Sequence, residues 1–201
     1  NAKKELVHLA SYAIQSLEAS YAFFDKGDEK YFDKVEKFET AVNSIDEELT
    51  TYLIDISNES LSVSENEILA SVLDSVRDLE RIGDLAVASA SLSQHIHSKG
   101  IEFSEIAKAE LADVYNRTHR ITLDSIRVVV DDDKVLAGQV ILRHEELEKL
   151  AKQLRKIHTK RLNNGECTAQ AGINYVDYLS HYTRIADHAI NLVEKVTEGV
   201  I

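Results

Sequence analysis

Leu79-Glu80-Arg81-Ile82-Gly83-Asp84-Leu85-Ala86 returns near the end of the chain as Tyr182-Thr183-Arg184-Ile185-Ala186-Asp187-His188-Ala189. The two aspartates stand 187 − 84 = 103 residues apart. At that offset Val72 falls on Tyr175, Val76 on Leu179, Leu79 on Tyr182, Ile82 on Ile185 and Ala90 on Val193. A match of this length argues for an internal repeat. Apolar positions within each copy step by three and four, so each copy belongs on a helix whose buried stripe is flanked by Arg, Asp and, in the first copy only, Glu80. Gly83 and Ala186 share one position of that stripe, and residues this small mark where a neighbouring helix comes closest.

Outward from the motif the same periodicity continues. Leu6, Leu9, Ala13, Leu17, Tyr21 and Phe24 predict a first helix over 2–26, closed by Gly27. Val35, Phe38, Val42, Ile45, Leu49 and Tyr52 predict a second over 28–57, and the S-x-x-E pattern Ser64 to Glu67 predicts the start of the motif helix, which ends before Gly100. In the second half Ser104 opens a helix that reaches the acidic turn Asp131-Asp132-Asp133. A fifth helix places Val140, Leu147, Leu150, Leu154 and Ile157 inward until Asn163-Asn164-Gly165, and a sixth carries the second motif. Val128-Val129-Val130 is the best strand candidate and lies inside a helical period. The expected fold is all-α: two pseudo-symmetric three-helix bundles, a six-helix tandem repeat with units 1–99 and 102–201, rather than one continuous six-helix core.

Composition narrows the function. The 201 residues include 35 acidic and 23 basic ones, for a net charge of −12, and no basic cluster dense enough to hold a nucleic-acid backbone. Proline and methionine are absent and only 7 glycines are present. Long helices are therefore uninterrupted, and glycine-rich phosphate loops and nucleophile elbows are both missing. The missing initiator methionine suggests a piece of something longer. No run of 18 apolar residues occurs, and Cys167 is the single cysteine, which excludes an internal disulfide and fits a reducing compartment.

The candidate chemistry sits on the motif face. Glu80 and Asp84, one helical turn apart, hold their carboxylates about 6 Å from each other, within reach of one hard cation. Asp74 and Asp78 repeat that spacing, and Glu39, Asn43 and Asp46 could face them from the second helix. Such an oxygen-rich set suits magnesium, manganese or iron better than zinc. The bland reading is an ion-pair ladder, Arg77 with Glu80 and Arg81 with Asp84, worth a few tenths of a kcal/mol per pair. The second copy offers Asp187 with Thr183 in the paired slot, so the first bundle is the expected metal holder. His181 and His188 are the histidines near a motif carboxylate, while His144 and His158 form no ligand spacing. Only Glu5 and His8 make a Glu-x-x-His pair, which excludes a ferritin-like di-iron oxidase.

With these residues in view, Leu79–Asp84 and Arg184–Asn191 resemble the two signature helices of the PhoU family, over essentially the whole chain. His158–Cys167 with Gly172–Leu179 is similar, more narrowly, to the PhoU-like domain of bacterial sodium/phosphate cotransporters. The resemblance implies two three-helix bundles about a pseudo-twofold axis, regulating phosphate uptake without catalysis. It implies iron or another divalent metal (Mg, Mn or Zn) at Glu/Asp-x-x-x-Asp motifs, here Glu80 with Asp84. Glu39 and Asp187 complete the candidate set. The implied setting is cytoplasmic, at the inner face of the cell membrane, with a transmembrane phosphate transporter as partner in the same or a separate chain. Membrane contact comes only through that transporter; a homodimer is an option and nucleic acid is not. The alternatives are a free-standing PhoU regulator bridging a phosphate ABC transporter and its sensor kinase, and a metal-dependent hydrolase that uses the acidic face.

Overall fold

A computed structural model describes residues 2–201 as six helices: α1 (Ala2–Lys26), α2 (Glu29–Ser57), α3 (Val63–Lys99), α4 (Glu105–Asp131), α5 (Lys134–Asn163) and α6 (Ala169–Thr197). No strand occurs among the described residues, and Val128–Val130 is helical.

Local chemistry sets the helix ends. Asp28 caps α2 by accepting from the Lys30 N–H at 3.0 Å, and Asp133 caps α5 by accepting from Val135 and Leu136 at 3.0 and 2.9 Å. Gly27, Gly100 and Asp132 take left-handed backbone angles at the corners, Asp132 at φ 52°. α3 begins two residues earlier than expected. Its capping box is Ser62 with Glu65, closed by a 2.8 Å bond from the Ser62 N–H to the Glu65 carboxylate, so Val63 and Ser64 already lie inside the helix.

α1, α2 and α3 pack against one another, as do α4, α5 and α6, and the two sets meet along α3–α6 and α1–α4. One apolar cluster runs through both sets: Leu9, Leu17, Leu79 and Ile82 join Leu111, Ile121, Leu147, Tyr178, Tyr182 and Ile185. The two bundles thus meet through a continuous apolar seam. The physical cause is the width of the buried stripe on the motif helices. Ser75, Ser89, Ser93 and Ala86 of α3, with Ala186 and Ala189 of α6, are small enough for α3 and α6 to approach while each also serves its own bundle. Across that seam the Ser93 and Tyr178 hydroxyls lie 2.6 Å apart, and the rings of Tyr21 and Tyr115 stack at 3.9 Å.

Two inward positions differ from the expected stripes. Tyr52 and Ile157 are exposed, and Leu53 and His158 are buried instead. From Leu49 and Leu154 the next inward residue at 3.6 per turn lies between three and four ahead, and in both helices the fourth is the one turned in. Gly83 does mark a close contact: a β-carbon there would lie 3.4 Å from Val42 of α2.

Candidate functional site

The motif carboxylates of the first bundle are crowded. Burial, then the charge of Asp84 and a hydrogen bond with it, then Asp46, push the Glu80 carboxyl up to about 7. Asp46, which reaches the same face from α2, is also raised, first by burial. The charges of Arg81 and Arg77 oppose this crowding without overcoming it, and neither arginine closes onto the pair. Arg77 turns to Asp74 at 3.8 Å, and among the described residues neither Glu80 nor Asp84 forms an ion pair. The expected ladder is therefore not built, and among the described residues the one set of three His or carboxylate ligands whose atoms converge lies in the second bundle. Glu39 is half-buried on α2, one turn before Val42, and is not drawn into the contact between Glu80 and Asp84.

The second bundle gathers a different set. His144 of α5 places Nε2 2.8 Å from Oδ1 of Asp187 on α6. Glu148, one turn further along α5, joins them, with one ligand atom from each residue within 4.8 Å of the others. The hydrogen bond to Asp187 raises the His144 imidazole above its ordinary range, and burial opposes it. Thr183 turns its hydroxyl onto its own helix, 2.9 Å from the Leu179 carbonyl oxygen. Arg184 does not pair with Asp187, whose partner is His144. One imidazole and two carboxylates with open positions fit a borderline divalent metal such as iron, manganese or zinc.

His144 was invisible at the motif offset, which sets it against Ala41. Between the caps of the middle helices the offset is 133 − 28 = 105, because α4 has 27 residues and α1 has 25. At 105 His144 falls on Glu39, Glu148 on Asn43 and Ala151 on Asp46. Matching the helix caps would have found it. The ligand set expected in the first bundle thus has a counterpart in the second, centred on the predicted Asp187.

The remaining polar groups of the motif helices join the bundles. Asp78, buried on α3, accepts from His188 Nδ1 at 2.9 Å, Asn191 Nδ2 at 2.9 Å and Lys195 Nζ at 3.0 Å, all on α6. Against the cost of burial, these donors hold its carboxyl below the usual range. His181, the positional counterpart of Asp78, places Nδ1 3.0 Å from the Ser89 hydroxyl and is lowered by burial. Both histidines singled out near motif carboxylates are thus held in the seam between the bundles.

A family model described as "PhoU domain" matches residues 6–92 and 111–196, one segment in each bundle. The chain is similar to the phosphate-specific transport system accessory protein PhoU homolog 1 of Thermotoga maritima, 30% identical over 128 residues, which is 64% of this chain and 54% of that protein. It thus spans about half the length of this curated relative. Among solved structures it superposes on PhoU from Pseudomonas aeruginosa with a TM-score of 0.86 and 20% identity, covering 98% of this chain and 96% of that one. It superposes on the phosphate transport system regulatory protein PhoU from Streptococcus pneumoniae with a TM-score of 0.84 and 15% identity, covering 98% and 91%. These two likenesses carry the fold.

Proposed function

The chain belongs to the PhoU family, and we propose that it is a free-standing accessory regulator of phosphate uptake that acts by contact and not by catalysis. The observation that carries this is the pair of family matches, one over each bundle, together with a relative named as an accessory protein of a phosphate-specific transport system. The relative and structural neighbours described above, all PhoU proteins, support the free-standing alternative over a sodium/phosphate cotransporter domain. No described helix is long and apolar enough to cross a membrane. In this reading the partner is a phosphate transporter, met at the cytoplasmic face.

In this reading 1–99 and 102–201 are the two repeat units, fused along α3–α6. Each presents one metal position on its outer face: Glu80 and Asp84 with Asp46, and Glu39 nearby, in the first; Asp187 with His144 and Glu148 in the second. A divalent ion there would tie α2 to α3 and α5 to α6, fixing the surface offered to the transporter.

The test is uptake of radiolabelled phosphate by cells lacking this protein. In phosphate-rich medium their uptake should exceed that of the parent several-fold and return to the parental rate when the protein is restored. Uptake unchanged by its loss would end the proposal.

A further inference from the structure

Glu148 and Asp187, the two carboxylates grouped with His144, line a groove of about 590 Å³ between α5 and α6, whose walls also include Glu145, Lys149, Lys152 and Arg155. Among the described residues none of its three cations pairs with a carboxylate; Arg155 is steadied instead by the Ser180 hydroxyl of α6 at 3.4 Å. Three unpaired cations in a chain of net charge −12 are an uneven use of charge. The three carboxylates of the groove balance them, so the groove is neutral as it stands.

A divalent ion on His144, Glu148 and Asp187 would leave this groove with two uncompensated positive charges beside an open coordination position. We infer that the groove binds inorganic phosphate as the second ligand of that metal, with Lys149, Lys152 and Arg155 receiving its remaining oxygens. The inference rests on the metal reading proposed above. A dianion restores neutrality, and guanidinium and ammonium donors suit phosphate oxygens. The duplicate supplies the contrast. At the 105 offset Lys149, Lys152 and Arg155 fall on Ser44, Glu47 and Thr50 of the first bundle, where Asp46, Glu80 and Asp84 add to Glu47. The counter-charges there come from Arg77 and Arg81 of α3, and the three α2 positions that match the cations of α5 carry none. One scaffold thus carries a cation site and a site for a cation with its anion.

The test uses the full chain with Glu80→Gln and Asp84→Asn to silence the first bundle. Mn²⁺ binding is followed by calorimetry, and phosphate by broadening of its ³¹P resonance by protein-bound Mn²⁺. Phosphate should broaden saturably, and excess sulfate should displace it only weakly. Lys152→Gln with Arg155→Gln should weaken phosphate at least tenfold while Mn²⁺ affinity changes less than twofold; His144→Ala should abolish both. Mn²⁺ binding without phosphate at millimolar concentration, or equal phosphate binding in the Lys152→Gln, Arg155→Gln protein, overturns the inference and leaves the metal reading standing. Absence of Mn²⁺ binding overturns both, and a circular dichroism melt matching the parent's excludes misfolding as the cause.

Discussion

The two bundles agree where they touch each other and diverge where they face solvent. Ile82 and Ile185 are both fully buried, as are Leu79 and Tyr182 at the position one turn earlier. Outside, the first bundle sets carboxylate beside carboxylate, and the second sets imidazole, carboxylate and three cations. The seam must be complementary to itself, so a change in one copy costs packing in both. An outer face exposed to water can change one charge at a time for a few tenths of a kcal/mol.

The strongest way to break this comparison is to separate the copies. Residues 1–99 or 102–201 alone would bare the α3 or α6 side of a core that the intact chain shares. We expect the full chain to unfold in one cooperative transition and neither half to show one as a monomer. Stabilities of about 5 to 15 kcal/mol cannot absorb the loss of a face this large. Two monomeric halves each melting cooperatively near the melting temperature of the whole would show that the units are independent.

A smaller effect compares the two ends of the seam. Asp78→Ala leaves three half-buried donors without their acceptor, including the Lys195 ammonium, and should destabilise by about 2 kcal/mol. Ser89→Ala, at the matching end, removes one neutral hydrogen bond to His181 and should lose about 1 kcal/mol. Urea unfolding of both variants measures the ratio; equal losses would mean that the Asp78 cluster is no stronger a clamp than its counterpart.

Packing offers a third contrast. A β-carbon at Gly83 meets Val42 at 3.4 Å, close to ordinary contact, but one at Gly172 would meet His158 Nε2 at 2.8 Å and Leu162 Cδ2 at 2.9 Å. Gly172→Ala should therefore destabilise by about 1 to 2 kcal/mol and Gly83→Ala by less, with Gly83→Leu rising to about 1 to 3 kcal/mol. Thermal melts order the three, and a Gly83→Ala loss above that of Gly172→Ala would reverse the assignment.

Much of the fold was legible because helices announce themselves locally. Periodicity, the Asp28 and Asp133 caps and the absence of proline are properties of neighbouring residues, and they placed six helices to within a few residues. What joined the helices was less visible. The contact of α3 with α6 is carried by serines and alanines, small residues that do not stand out in a stripe of larger apolar side chains, so the seam joining the two bundles left no signal in the sequence. His144 lay beyond reach for another reason: its partner Asp187 is on another helix, and the two-residue difference in offset hid its match to Glu39. The ion-pair ladder failed because spacing permits a pair without choosing it. Arg77 has carboxylates on both sides and takes Asp74.

The finest contrast is in the response to acid. In the first bundle Glu80 is raised to about 7 from its ordinary 4.5, so between those values the folded chain holds a proton that the unfolded chain has released. Stability then falls as pH rises through that window, and the penalty is complete above it. In the second bundle His181 is lowered by burial, so below its ordinary 6.5 the unfolded chain takes a proton that the folded chain refuses, and stability falls as pH falls. Glu80→Gln should accordingly raise the melting temperature at pH 8 and leave it unchanged at pH 4. Because Glu80 is partly open to solvent, the gain is under about 1 kcal/mol. His181→Asn should flatten the decline between pH 7 and 5, on top of a pH-independent loss from the altered bond to Ser89. Saturating Mg²⁺ at pH 8 should raise the parent's melting temperature and add little to the Glu80→Gln protein, since both relieve the same repulsion. Additive effects of the ion and the substitution would place the cation elsewhere and detach Glu80 from it.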